Sequence, residues 1–319
     1  MRDFNRRTFL QGAALAGSSY IAAGAARAAP EGDCDREHEA CALPAQTTWE
    51  PEPAQVPAKQ GYVTLPDGAR LWYWDTGGKG EPVVLLHANT GSALNWGYQQ
   101  PVLARAGYRV IAYSQRGHYQ SDPPTASSPP GSQDLHDFLQ ALKIPRCHLV
   151  GTAAGSFTAV DFAVSYQEQL LSLMAGNSFF GISAPDFNQT TGFLLPDAFF
   201  GCPDDFRELG PSYRAANRPG VARWLQLVSQ AGKGSQPLAN NIGWPAIESL
   251  RVRAMLYTGS ADLYLPPAQL RVVASHFRGA QTAVFGEAGH SSYFEQYAQF
   301  NRVLLRFLRG RDDHQGHDE

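Results

Sequence analysis

Apolar residues along this chain follow two alternating rhythms. Pro82-Val83-Val84-Leu85-Leu86 and Arg109-Val110-Ile111-Ala112-Tyr113 are nearly unbroken apolar runs, the pattern of strands covered on both faces. His148-Leu149-Val150 and residues 171–175, 253–258 and 282–285 repeat it. Between them, Leu135, Phe138, Leu139 and Leu142 recur at i, i+3, i+4 and i+7, an amphipathic helix with Lys143 in its last turn. Further helical stretches run from Ser92 to about Ala106, carry Phe157, Val160 and Val164, and cover 266–277 and 292–308. Ahead of these, residues 61–66 and 71–76 alternate apolar and polar positions around Pro66-Asp67-Gly68, which predicts a β-hairpin. Repeated strand–helix units with buried strands predict an α/β fold, a mostly parallel sheet flanked by helices. The rhythm breaks from 179 to 250, where Phe179, Phe180, Phe187, Phe193, Phe199, Phe200, Phe206 and Trp224 lie among glycines and prolines. This stretch reads as a helical, aromatic-rich lid over the C-terminal edge of the sheet.

The ends of the chain read differently. Asn5-Arg6-Arg7-Thr8-Phe9-Leu10-Gln11, a mildly apolar Ala/Gly stretch and Ala26-Arg27-Ala28 compose a secretory leader over residues 1–28, and the paired arginines make it resemble a twin-arginine signal peptide. Bacterial export to the periplasm or beyond is the expectation. Residues 29–58, with five prolines and no apolar period, read as a linker that packs loosely, if at all. The core then divides into 59–178 and 251–308 around the lid, with a solvated, disordered tail at 309–319 that contains His314 and His317.

Composition narrows the function classes. The chain has 319 residues and a net charge of −3; the leader holds four arginines and one aspartate, so without it the charge is −6. An acidic surface argues against nucleic acid or anionic membrane as partners and leaves a small-molecule substrate. Outside the N-terminus no run approaches the roughly 20 apolar residues that a membrane span requires. Cys34 and Cys41 would suit a local disulfide in an oxidising compartment; Cys147 reads as a small buried hydrophobe, and Cys202 falls in the lid without an assigned partner. No metal-ligand spacing is present, and no metal or other cofactor is expected.

The candidate chemistry centres on Leu149-Val150-Gly151-Thr152-Ala153-Ala154-Gly155-Ser156. An apolar run, two glycines four residues apart and a following helix are the layout of a nucleophile elbow, a strained turn that lifts one side chain over the end of a sheet. The lifted residue is Ala153, whose methyl group cannot attack a carbonyl. Downstream stand Thr258-Gly259-Ser260-Ala261-Asp262 and Gly286-Glu287-Ala288-Gly289-His290, each after a predicted strand.

With these three motifs in order, the chain resembles the α/β-hydrolase fold family from about Gly61 to Leu308. The resemblance implies the order nucleophile, acid, histidine, which falls on Ala153, Asp262 and His290. It also implies an oxyanion hole from the N–H groups of Asn89, in His87-Ala88-Asn89, and of Ala154. Ala88 departs from the glycine usual in that loop, but backbone donors do not depend on side-chain identity. Glu287 is a weaker candidate for the acid, and Glu295 reads as a helix-start residue. Thr152, Ser156, Ser291, Ser292 and Tyr293 offer other hydroxyls, each more typical of capping or packing.

A carboxylate that accepts from one ring nitrogen leaves the other free as a base. The expectation is that His290, oriented by Asp262, acts as general base in hydrolysis or lyase-type cleavage of a small, rather apolar carbonyl or ester-like compound. The alternatives are a non-catalytic binding or scaffold protein on the same fold, a cofactor-free enzyme of non-hydrolytic chemistry, and a serine esterase with an introduced alanine. The sequence leaves oligomeric state open.

Overall fold

The computed structural model describes residues 42–195 and 197–310. The leader, the Cys34–Cys41 bridge, and His314 and His317 of the tail lie outside the described residues. In chain order the elements are β1 (Ala42–Leu43), β2 (Lys59–Thr64), β3 (Arg70–Asp75), β4 (Pro82–Leu86), a 3-10 turn (Ala93–Trp96), α1 (Gln100–Arg105), β5 (Arg109–Tyr113), α2 (Gly131–Ala141), β6 (Cys147–Thr152), α3 (Ala154–Tyr166) and β7 (Leu170–Gly176). Then come α4 (Pro185–Leu194), α5 (Asp197–Phe200), α6 (Asp204–Glu208), α7 (Pro211–Ala216), α8 (Arg218–Ala231) and α9 (Trp244–Glu248). β8 (Ala254–Gly259), α10 (Pro267–His276), β9 (Gln281–Phe285), α11 (Ser292–Glu295) and α12 (Tyr297–Leu308) complete it.

The strands form one sheet in the order β1-β9-β8-β7-β6-β4-β5-β3-β2. All neighbouring pairs from β1 to β5 are parallel, whereas β3 runs antiparallel to both β5 and β2. The unbroken apolar runs have a simple cause. Val84 and Leu86 of β4 face one hydrophobic core with Leu135, Phe138 and Leu139 of α2, while Val83 and Leu85 face a second core with Phe300, Leu304 and Phe307 of α12. Leu149 against Val150, Leu173 against Met174 and Leu256 against Met255 divide in the same way. Each central strand therefore fills two cores at a side-chain period of two.

From β4 the chain passes to β5 on one side and then returns to β6 on the other. This reversal of direction opens a crevice at the carboxyl ends of the strands, where ligands bind in open α/β sheets. The insert between β7 and β8 supplies α4 to α9.

Three expectations need correction. Residues 42–58 pack closely rather than loosely: β1 pairs with β9, Trp49 Nε1 donates to the Glu295 carbonyl at 2.7 Å, and Val56 and Gln100 exchange two hydrogen bonds. A Pro-rich polar segment cannot build its own periodic element, yet its backbone and its one tryptophan can still find partners on a finished surface. The helix expected over 292–308 breaks at Gln296, at φ −117° and ψ 40°, into α11 and α12. The helical stretch after Ser92 is likewise two pieces, a 3-10 turn and then α1, which has proline in its first turn. Among the described residues no helix is long and apolar enough to cross a membrane.

Candidate active site

The elbow is formed as its glycines require. Ala153 sits at φ 49° and ψ −117° between the end of β6 and the start of α3, a conformation that costs a non-glycine residue on the order of 1 kcal/mol or more. A side chain at Gly151 would put its Cβ 2.7 Å from the Gly155 carbonyl oxygen, and one at Gly155 would lie 2.3 Å from that of Leu86. Both glycines are thus steric requirements of the turn. The backbone of Ala153 is locked by its N–H to the Gly176 carbonyl at 3.0 Å and by Ser178 Oγ, which donates to its carbonyl at 2.7 Å.

Asp262 and His290 come together from the loops after β8 and β9. His290 Nδ1 lies 3.0 Å from both carboxylate oxygens. The carboxylate also accepts from Asn177 Nδ2 at 2.8 Å, Thr258 Oγ1 at 3.1 Å and the backbone N–H groups of Tyr264 and Leu265 at 2.8 and 3.2 Å. Burial works to raise the Asp262 pKa, but the His290 charge and these donors outweigh it and hold the carboxyl below its ordinary value. Burial similarly opposes a charged His290, and the neighbouring Asp262 and Glu208 overcome it, so the imidazole titrates above its ordinary value. Asn177 reaches Asp262 from a left-handed turn at φ 47° after β7, a conformation that asparagine tolerates.

His290 and Ala153 share a cavity of about 500 Å³ whose wall also includes Asn89, Ala154, Phe157, Ser178, Tyr264 and the lid residues Arg207 and Glu208. Asn89 lies exposed on this wall, and Ala154 is the first residue of α3, where backbone N–H groups lack helical partners. His87 is fully buried: its Nδ1 donates to the Ala88 carbonyl at 2.7 Å and its Nε2 accepts from the Gln115 N–H at 2.9 Å, which fixes a neutral tautomer. Burial, and then His118 at a ring separation of 4.7 Å, push its pKa down to about 3.

Three of the other hydroxyls are engaged elsewhere. Ser156 Oγ bonds both the carbonyl and the N–H of Gly176 at 3.0 Å, Ser292 Oγ reaches the Gly289 carbonyl at 3.3 Å, and Tyr293 accepts from Asn95 at 3.3 Å. Thr152 and Ser291 are buried, and none of the five lines the cavity. Glu287 receives a hydrogen bond from Ser212 rather than from His290. Cys147 is free and fully buried, with its thiol pushed up to about 12 by burial; Cys202 is half-buried and free. Among the described residues no group of three or more His, Cys, Asp or Glu side chains is arranged to hold a metal ion.

Two residues exceed the sequence reading. Glu295 does more than begin a helix: it accepts from the N–H groups of Gly289 at 2.9 Å and Ser291 at 3.3 Å, the neighbours of His290, and from the lid N–H of Gly210 at 2.6 Å. Burial raises its carboxyl to about 8 despite these three donors. Glu208, at the end of α6, is 5% exposed and has its backbone carbonyl 2.9 Å from the Ser291 N–H. No local pattern in the aromatic insert marks it out.

The chain is similar to known proteins over most of its length. A sequence profile of the alpha/beta hydrolase family matches residues 83–303. A 2-hydroxy-6-oxononadienedioate/2-hydroxy-6-oxononatrienedioate hydrolase of Burkholderia vietnamiensis is 30% identical over 267 residues, which cover 75% of this chain and 91% of that protein. Among solved structures, the enol-lactonase of Burkholderia xenovorans LB400 superimposes with a TM-score of 0.63 at 21% identity, covering 78% of this chain and all of that one. A thermophilic esterase of Thermogutta terrifontis gives 0.67 at 20% identity over 79% and 99%. At such identities the structural likeness speaks for the fold, and the profile match spans more than half of the chain. The sheet order, the turn at Ala153 and the Asp262–His290 pair stand within that frame, and the chain belongs to the alpha/beta hydrolase family.

Proposed function

We propose that this protein hydrolyses a small carbonyl or ester-like compound by general-base catalysis, with His290 activating a water molecule. One observation carries the reading: a histidine pinned through Nδ1 by Asp262 shares a cavity wall with an elbow residue that has no nucleophilic atom. Nε2 of that ring is then the basic nitrogen, and water replaces the side-chain nucleophile in attack on the carbonyl carbon. The N–H groups of Asn89 and Ala154 would stabilise the resulting oxyanion, a contribution on the order of 3 kcal/mol for each donor in other acyl-transfer sites. A water mechanism passes through no acyl-enzyme. The hydrolase from Burkholderia vietnamiensis, named for small oxo-dienedioates, supports the substrate class.

The test is turnover of a panel of small esters, enol esters and 2-hydroxy-6-oxo-dienoates by the native protein and by His290→Ala. Removal of a general base is expected to lower the rate by about 10² to 10⁴. Unchanged turnover in His290→Ala would refute the mechanism. Binding of panel members without any turnover would favour the non-catalytic reading.

The export reading is a second part of this proposal: residues 1–28 direct the folded chain out of the cytoplasm through the paired arginines Arg6 and Arg7. Replacing both by lysine should leave the protein in the cytoplasmic fraction of a bacterial host. Equal recovery from the periplasm would end that assignment.

A further inference from the structure

Glu208 is a carboxylic acid in an unusual position. It lies in the insert, yet its backbone carbonyl holds the N–H of Ser291, the residue after His290, at 2.9 Å. Glu208 lines the same cavity as His290 and Ala153. Its Oε2 is fully buried without a hydrogen-bond partner among the described residues, and a buried polar atom left unpaired is costly. The nearby cation does not account for it, since Arg207 is committed to Asp204, to Tyr264 Oη at 2.9 Å and to the Cys202 carbonyl at 3.1 Å.

We propose that Glu208 is the second proton-transfer group of this site, the acid that delivers a proton to the departing oxygen while His290 acts as the base. The inference rests on the general-base reading above and adds a residue that the elbow, the acid and the histidine do not include.

The two groups sense each other's charge. Burial raises the Glu208 carboxyl above its ordinary value, and a protonated His290 draws it back; Asp262, Arg207 and Asp204 are the other charged groups that bear on it. The titrations of the two groups are therefore linked. In the working form the proton sits on Glu208, which is loaded to donate, and His290 is free to accept.

The cycle then balances. His290 Nε2 takes a proton from water as the water oxygen bonds to the carbonyl carbon, and the carbonyl electron pair moves onto oxygen. Collapse of this adduct re-forms the carbonyl and breaks the bond to the leaving oxygen, which takes the proton from Glu208. Imidazolium and carboxylate remain, and transfer of one proton from His290 to Glu208 restores the starting pair. The products are a carboxylic acid and an alcohol, with no external reagent but water.

A general acid matters most when the leaving group is poor, and this distinguishes it from a residue that merely supports the wall. The experiment compares native protein with Glu208→Gln on p-nitrophenyl acetate and ethyl acetate, and follows the His290 ring by NMR titration in both proteins. Glu208→Gln is expected to lose about 10²-fold more on ethyl acetate than on p-nitrophenyl acetate, and its His290 should titrate at lower pH because a negative neighbour has gone. Equal losses on the two esters would overturn the acid role, as would an unchanged His290 titration. If the native protein turns over neither ester, the general-base reading is decided on the enol esters and 2-hydroxy-6-oxo-dienoates, and the role of Glu208 stands or falls on the His290 titration. An unaltered amide spectrum of Glu208→Gln secures the fold for either outcome.

Discussion

His290 Nδ1 stands at 3.0 Å from each of the two oxygens of Asp262, so the ring is held by the carboxylate as a whole. This symmetric grip fixes the tautomer and turns Nε2 away from the acid. It needs a rigid carboxylate, which the Asn177 amide, the Thr258 hydroxyl and the N–H groups of Tyr264 and Leu265 provide.

Asp262→Asn should therefore cost about 10² to 10⁴ in turnover, because an amide can donate to Nδ1 and present the wrong tautomer. The pH profile should move as well. A base must be neutral, and Asp262 helps to hold the His290 pKa above 6.5, so the rise of activity with pH should shift to lower pH in the variant. The stability consequences have opposite signs. The His290 contribution is full below pH 6.5 and is lost as pH rises through its folded value; that of Asp262 is present above 3.8 and is lost as pH falls through its folded value. Rate and melting profiles across pH, native against variant, check both, and superimposable profiles would contradict the pairing.

Ala153→Ser should install the atom that the elbow lacks. The backbone already holds φ 49°, and Ala153 lines the same cavity as His290, so the new hydroxyl needs no change of backbone. The expected result is a burst of p-nitrophenolate from p-nitrophenyl acetate and covalent labelling at position 153 by a serine-directed phosphonate, neither of which the native protein should show. Labelling of the native chain at Thr152 or Ser156 would reveal a nucleophile in another place. A variant that remains inert would mean that the cavity is remodelled beyond the missing hydroxyl.

Glu295→Ala should loosen the histidine loop and the lid together. Three buried N–H groups, on Gly289, Ser291 and Gly210, would lose their acceptor. At about 1–3 kcal/mol for an unsatisfied buried donor, offset by release of a buried polar carboxyl group, a net loss of about 2–4 kcal/mol is expected in denaturant unfolding. The carboxyl is raised from 4.5 to about 8 in the fold, so its protonated form favours the native state. Stability from this group is full below pH 4.5 and declines as pH rises toward 8. Glu295→Gln should lack that decline, and an identical pH dependence in the two proteins would show that Glu295 does not titrate there.

The sequence by itself determined the layers and the Asp262–His290 pair. The runs at 82–86, 109–113 and 148–150 are legible because a strand buried on both faces is apolar along most of its length, whatever lies further away. Ala153, Asp262 and His290 are legible for a related reason: each follows a strand and sits in a short glycine-containing turn, and such turns are written locally. Tertiary structure alone decided the rest. Glu208 and Glu295 are ordinary acidic residues in sequence, and they acquire their roles only where the insert folds back on the histidine loop through Gly210 and Ser291. Asn177 gains its purpose from Asp262, 85 residues on, and residues 42–58 gain theirs from the distant Gln100, Glu295 and Tyr297. Burial and unpaired polar atoms are properties of the assembled chain. A pattern of period two or 3.6 records which face of an element is covered, but not which distant group covers it.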